Sequence, residues 1–198
     1  MNKSGAWLVR YALEQLGISH TFGIPVIANA EIYDELSQSS KITPHLVNHE
    51  MSAAYMADAT SRTSPDKIGT MVITTGAAIT HSATGIGEAL LAGIPMLVIA
   101  GSPDREEEID PSQILKPLTK ARFKISGHQQ IIETLYKAHQ IATSDKPGPV
   151  FIDIPIGIQI AVAEIDEPLP MVQPVSEKQH NGIGSEIGTV ASTLLQAK

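Results

Sequence analysis

The sequence predicts an α/β fold, a parallel sheet with helices on both faces, and three observations carry that reading. Residues 68–74, 95–100 and 149–154 are short and apolar almost throughout, as strands buried on both sides are. Between such runs lie longer segments whose apolar residues recur at helical spacing, so strand and helix alternate. Gly23, Gly76 and Gly101 lie at the carboxyl ends of predicted strands, 18–22, 68–74 and 95–100. In sheets of this kind, ligands gather at those ends.

Taken in order, Trp7, Leu8, Tyr11, Ala12 and Leu16 form a helical stripe that Ser4 can cap and Gly17 ends. Residues 18–22 follow as a short strand closed by Gly23 and Pro25, then 29–36 as a helix. Residues 42–47 read as a strand despite Pro44, and 50–62, rich in Ala and Met, as a buried helix. The strand at 68–74 is broken by Gly76, and 80–91 is a helix of small residues that lets backbones approach closely. After the strand at 95–100, the acidic stretch 105–112 reads as an exposed loop and 122–125 as a short strand. Ile131, Leu135, Ala138 and Ile141 make the next stripe, and 149–154 the last strand.

Composition narrows the function classes. The 198 residues carry 14 Lys+Arg against 21 Asp+Glu, a net charge of −7, with no basic run for a nucleic acid or a membrane surface. With 42% hydrophobic and 18% charged residues the chain is not of the disordered class. No cysteine is present, which removes disulfides, thiolate metal sites and a Cys nucleophile. Arg10 and Glu14 interrupt the first apolar stretch, so it is neither a signal peptide nor a spanning helix. A cytoplasmic domain is the expectation.

The texture changes near the end. Residues 1–165 read as one domain and 166–184, with Pro168, Pro170 and Pro174, as a linker. Ile187, Val190, Ala191, Leu194 and Leu195 then form an apolar helix stripe, which must bury itself against something. Residues 185–198 are read as the truncated start of a central domain, the alternative being a helix packed back on the first domain.

Most motif candidates have plain explanations. His45 and His49 stand four apart but fall on a strand and its end, with no third ligand in the pattern, so no metal site is assigned. Gly85-Ile86-Gly87 sits within a helix and reads as packing. Ser82 lacks the G-x-S-x-G context of a hydrolase. Glu50 has two readings. A carboxylate at a helix start complements the macrodipole by about 0.3–1 kcal/mol. Alternatively, a carboxyl at a strand's carboxyl end among apolar neighbours can hold or pass a proton.

The motifs also have a collective order. Phe22-Gly23-Ile24-Pro25, His49-Glu50, Thr74-Thr75-Gly76, the run Ile94-Pro95 to Ala100-Gly101, Thr119-Lys120 and Lys146-Pro147-Gly148-Pro149 through Asp153-Ile154-Pro155 succeed one another. This series, over roughly residues 4–162, resembles the N-terminal pyrimidine-binding domain of thiamine-diphosphate enzymes of the acetolactate synthase type. The resemblance implies that Glu50 is catalytic, hydrogen-bonding a ring nitrogen of the cofactor's aminopyrimidine and favouring its imino tautomer. It implies cofactor contacts from Pro25, Val26, Gly76, Ala77, Ala78 and His81, and a 2-keto acid substrate. It also implies a homo-oligomer, at simplest a dimer, and leaves a flavin open.

Several positions depart from that pattern. Val26 and the alanines of Thr75-Gly76-Ala77-Ala78 stand where relatives carry turn glycines, and His81 where they carry Asn. Ala or Val restricts positive-φ backbone, so altered loops are expected. Ala59-Thr60-Ser61-Arg62 keeps only the Arg of a common segment, and the loop near Arg105 lacks the family's Phe-Gln-Glu. No Gly-Asp-Gly occurs, so magnesium and the diphosphate are expected from a diphosphate-binding domain in the same or another chain. The isolated chain should be inactive. The alternative is a non-catalytic homologue, or a separate subunit that pairs with a diphosphate-binding chain.

Overall fold

Ser4 starts the first helix as its spacing predicts: its Oγ accepts the Trp7 N–H at 3.1 Å, satisfying an otherwise unpaired helix-start donor. Gly17, at φ 73°, ends that helix in the left-handed region. The computed structural model describes residues 1–64, 66–104, 109–165, 167–172 and 192–193. Its elements are β1 (Asn2–Ser4), α1 (Gly5–Gln15), β2 (His20–Gly23), α2 (Ala30–Ser37), β3 (Thr43–Leu46), α3 (Glu50–Thr63), β4 (Gly69–Thr74) and α4 (Ala77–Ala92). There follow β5 (Met96–Ser102), α5 (Pro111–Ile114), β6 (Ala121–Lys124), α6 (His128–Thr143), β7 (Pro149–Pro155), α7 (Ile156–Ile160) and β8 (Val162–Glu164).

Six strands pair in the order β3–β2–β4–β5–β7–β6, every neighbouring pair parallel. The central strands are buried on both faces, and alternate residues serve opposite layers. Val72, Leu97, Ile99, Val150 and Ile152 pack with α1, α2 and α6. Met71, Ile73, Val98 and Phe151 pack on the other side with α3 and α4. Pro44 is tolerated because β3 is an edge strand, paired with β2 alone.

The order of strands places the site. The chain leaves β2 through α2 toward β3 at one edge, returns through α3 past β2 to β4, and leaves β4 through α4 toward β5. Connections from the adjacent strands β2 and β4 thus run in opposite directions, with α2 and α4 on opposite faces. Such a reversal opens a crevice at the carboxyl ends of the strands.

Some elements differ from the sequence expectation. α4 begins at Ala77, three residues early, because Gly76 alone makes the turn, with φ 72° and ψ −133°. Ala77 and Ala78 are helical, and among the described residues only Asp145 is a non-glycine with positive φ. The alanines therefore sit in this loop without backbone strain. Part of the acidic loop is helical: Asp110 Oδ1 accepts the Ser112 N–H at 2.8 Å and caps α5. β1 pairs antiparallel with β8, joining residues 2–4 to 162–164. The stripe Ile187, Val190, Ala191, Leu194 and Leu195 lies outside the described residues.

Candidate functional site

Glu50 is the first residue of α3, directly after its N-cap His49, whose Nδ1 accepts the Met51 N–H at 3.1 Å. The Glu50 side chain is only 15% exposed, and its Oε2 lies 3.1 Å from His81 Nδ1. His81 comes from the early part of α4, and its ring stacks on that of His49 with centroids 4.8 Å apart. Residues four apart share a helix face. One turn beyond Glu50 is Ala54, and one turn beyond His81 is Gly85. These two touch: a Cβ added at Gly85 would lie 2.6 Å from Ala54 Cβ. The closeness of α3 to α4 at this small-residue contact is what lets Glu50 reach His81.

Several large apolar side chains on the elements that lead into and out of this cluster are exposed. Ile27 is 86% exposed and Leu46 67%, and Val26, Met51, Tyr55 and Met56 are also exposed. They belong to the β2–α2 loop, the end of β3 and the opening turns of α3. Large apolar side chains gathered at one end of a sheet mark a surface built to be covered.

The β2–α2 loop is held from within. Asn29, fully buried, accepts the Val26 N–H at 2.7 Å through Oδ1 and donates through Nδ2 to the Ile24 carbonyl at 3.1 Å. Gln159, also fully buried, donates from Nε2 to the carbonyls of Ala28 at 2.8 Å and Ile154 at 2.7 Å. Sequence reasoning missed both, because their partners are backbone groups and leave no motif. Beside this loop an open cavity of about 390 Å³ is lined by Val26, Ile27, Thr74, Thr75 and Ile156 at the switch point.

The sequence-derived site residues are thus only partly united. Glu50 and His81 are in contact, and Val26 lines the cavity. Pro25 and Ala77 are exposed beside the switch point, and Gly76 forms the turn into α4. Ala78, 3% exposed, turns into the core and can offer a ligand only backbone. His49, weighed in the sequence as a metal ligand only with His45, lies instead with Glu50 and His81. His45 Nε2 lies 2.9 Å from His20 Nδ1, and its ring stacks on Phe22. Burial, with the charges of His45 and Lys67, holds the His20 pKa below its ordinary value. A second cavity, about 490 Å³, lies at the ends of β5, β6 and β7, lined by Ser102, Arg122, Lys124 and Asp153 among others. No sequence motif pointed to it.

A carboxylate at a helix start, beside a switch point and an uncovered apolar wall, defines a ligand-binding domain of the parallel α/β class. Residues 3–124 match the family described as thiamine pyrophosphate enzyme, N-terminal TPP binding domain, and the chain belongs to that family. It is 38% identical over 159 residues to the acetolactate synthase large subunit of Buchnera aphidicola subsp. Acyrthosiphon pisum, covering 77% of this chain and 28% of that protein. It is 33% identical over 208 aligned residues to the acetolactate synthase isozyme 3 large subunit of Escherichia coli K12, covering 98% of this chain and 35% of that one. Acetolactate synthase 1, chloroplastic, of Oryza sativa subsp. japonica is 32% identical over 168 residues, covering 81% of this chain and 26% of that protein. The chain therefore spans about a third or less of the length of these relatives. Among the described residues, no helix is long and apolar enough to cross a membrane.

The residues present suit the pyrimidine end of thiamine diphosphate. A flat heteroaromatic ring needs a carboxyl for its ring nitrogen and apolar side chains for its face, and Glu50 with the exposed apolar wall offers both.

Proposed function

We propose that the chain supplies the pyrimidine-side half of an acetolactate-synthase-type site that decarboxylates and joins 2-keto acids. The observation carrying this reading is Glu50: a mostly buried carboxyl, first in its helix, with a proton-sharing partner at 3.1 Å and uncovered apolar surface around it. When bound, thiamine diphosphate supplies the electron sink for decarboxylation. Glu50 holds the proton at the pyrimidine nitrogen, and His81, donating from Nδ1, orients the carboxyl. The Pro25–Val26 loop and the Gly76–Ala77–Ala78 turn shape the walls, with Ala78 contributing backbone only.

The remaining parts are assigned elsewhere. Magnesium and the diphosphate belong to a diphosphate-binding domain in the same or another chain, since no Gly-Asp-Gly is present. The uncovered apolar side chains suit a lid formed by that domain in a dimer, in the cytoplasm. Residues 185–198 begin the central domain, a reading supported by the relative that aligns over 98% of the chain.

The test is Glu50→Gln in the longer protein, or with the diphosphate-binding partner supplied. Exchange of the cofactor's thiazolium proton with deuterated solvent should slow by about 10²–10⁴-fold, the usual span of general acid–base contributions. Unchanged exchange in a variant that still binds cofactor sinks the proposal. The contact of His81 with Glu50 also favours a second reading, a non-catalytic homologue in which the carboxyl is already engaged. That reading gains if the unsubstituted protein exchanges no faster than free cofactor.

A further inference from the structure

We propose that His49, Glu50 and His81 together bind a divalent transition metal of the zinc class. One nitrogen from each imidazole and one Glu50 oxygen lie within 4.8 Å of one another, drawn from two packed helices. Zinc bonds to imidazole and carboxylate are about 2.0–2.1 Å, so tetrahedral ligands stand about 3.3 Å apart. Glu50 Oε2 and His81 Nδ1 already stand 3.1 Å apart, close to one edge of that tetrahedron. The stacked His49 ring is exposed and free to rotate, and the third corner requires it to close a separation of up to 4.8 Å.

Two existing hydrogen bonds must be exchanged for metal bonds. His81 passes its Nδ1 proton to Nε2, a tautomer change without net loss of a proton, and its freed Nδ1 lone pair meets the metal. His49 releases the Met51 N–H, which sits in an exposed first turn and can turn to water. The result is two imidazoles, one carboxylate and a fourth position open to solvent. That donor set selects zinc-class ions over magnesium or calcium, which demand oxygen ligands. The sequence concealed the site because His81 lies 31 residues beyond Glu50 and meets it through the packing of α4 on α3, closest at the Ala54–Gly85 contact.

The geometry stands without the cofactor reading, but the two meet at one atom group. A metal there occupies the carboxyl that the proposed function gives to the pyrimidine, and so would act as an inhibitor of it. Zinc titration of the 198-residue chain, without any cofactor, tests the site alone. One equivalent should bind, and cobalt(II) should show the intense visible bands of low-coordinate geometry. His81→Asn and His49→Asn should each weaken binding by at least about tenfold, the lower end of what losing a hydrogen-bond partner behind a metal ligand costs. His45→Asn should leave it unchanged, and His81→Gln with a thermal melt guards against a variant that fails to fold. Absence of stoichiometric binding, or loss in His45→Asn with retention in the His81 variants, overturns the proposal.

Discussion

Gly85→Ala tests the contact that sets the spacing of α3 and α4. The added methyl would lie 2.6 Å from Ala54 Cβ and 3.3 Å from both the Ala54 carbonyl carbon and the Tyr55 nitrogen. Carbon atoms rest at about 3.5–4.0 Å, so the helices must part by roughly 1 Å or bear the repulsion. Two effects compete. Alanine is favoured over glycine in a helix interior by about 1 kcal/mol. Overpacking a tight core costs about 1–3 kcal/mol. The nearest obstacle is a methyl on a rigid helix and not the end of a flexible side chain, so overpacking should win. The expected net loss is up to about 2 kcal/mol. Ala54→Gly removes that methyl, while the two backbone contacts at 3.3 Å remain, so relief should be partial. Urea unfolding of both single variants and the double variant should give a favourable coupling of at least about 0.5 kcal/mol. A Gly85→Ala protein stabilised by the full helix preference, and additive with Ala54→Gly, would refute the packing argument. It would also remove the stated reason why Glu50 meets His81.

Two further outcomes follow from the geometry. Asn29→Ala strands the Val26 N–H and the Ile24 carbonyl, and should lower stability by about 1–3 kcal/mol in the same urea assay. The pKa of His20 is lowered by burial, then by His45 and Lys67, and that of His139 by burial. Both are more readily protonated when unfolded, so their contribution is complete above about pH 6.5 and is lost as pH falls through the lower folded values. Melting temperature should therefore fall from about pH 7.5 to about pH 5, and His139→Gln should flatten the slope.

Local chemistry was legible in the sequence wherever its cause was local. Ser4 and Gly17 marked α1 because a cap and a left-handed terminator act within a turn of the helix. The doubly buried strands declared themselves by being apolar throughout. Glu50 could be placed at a helix start, although only the family resemblance distinguished a functional carboxyl from one complementing the dipole. What stayed hidden was long-range. β1 and β8 are too short to show a period, and each exists only because the other lies beside it. Asn29 and Gln159 read as ordinary polar residues until their buried backbone partners are seen. The His49–His81 stack depends on how closely two helices approach, which no spacing along the chain encodes.

The small ladder between β1 and β8 has a mechanical consequence. Asn2 faces Glu164, Ser4 faces Val162, and the Met1 amino group reaches the Ile165 carbonyl at 2.9 Å. The two strands thus enter and leave at the same end. Tension applied through the segments outside them would act on one bridge at a time, as on a zipper, and not on all bridges together in shear. Such a clasp yields at low force. It can let go while the six-stranded sheet, whose ladders do not include either strand, keeps its pairing.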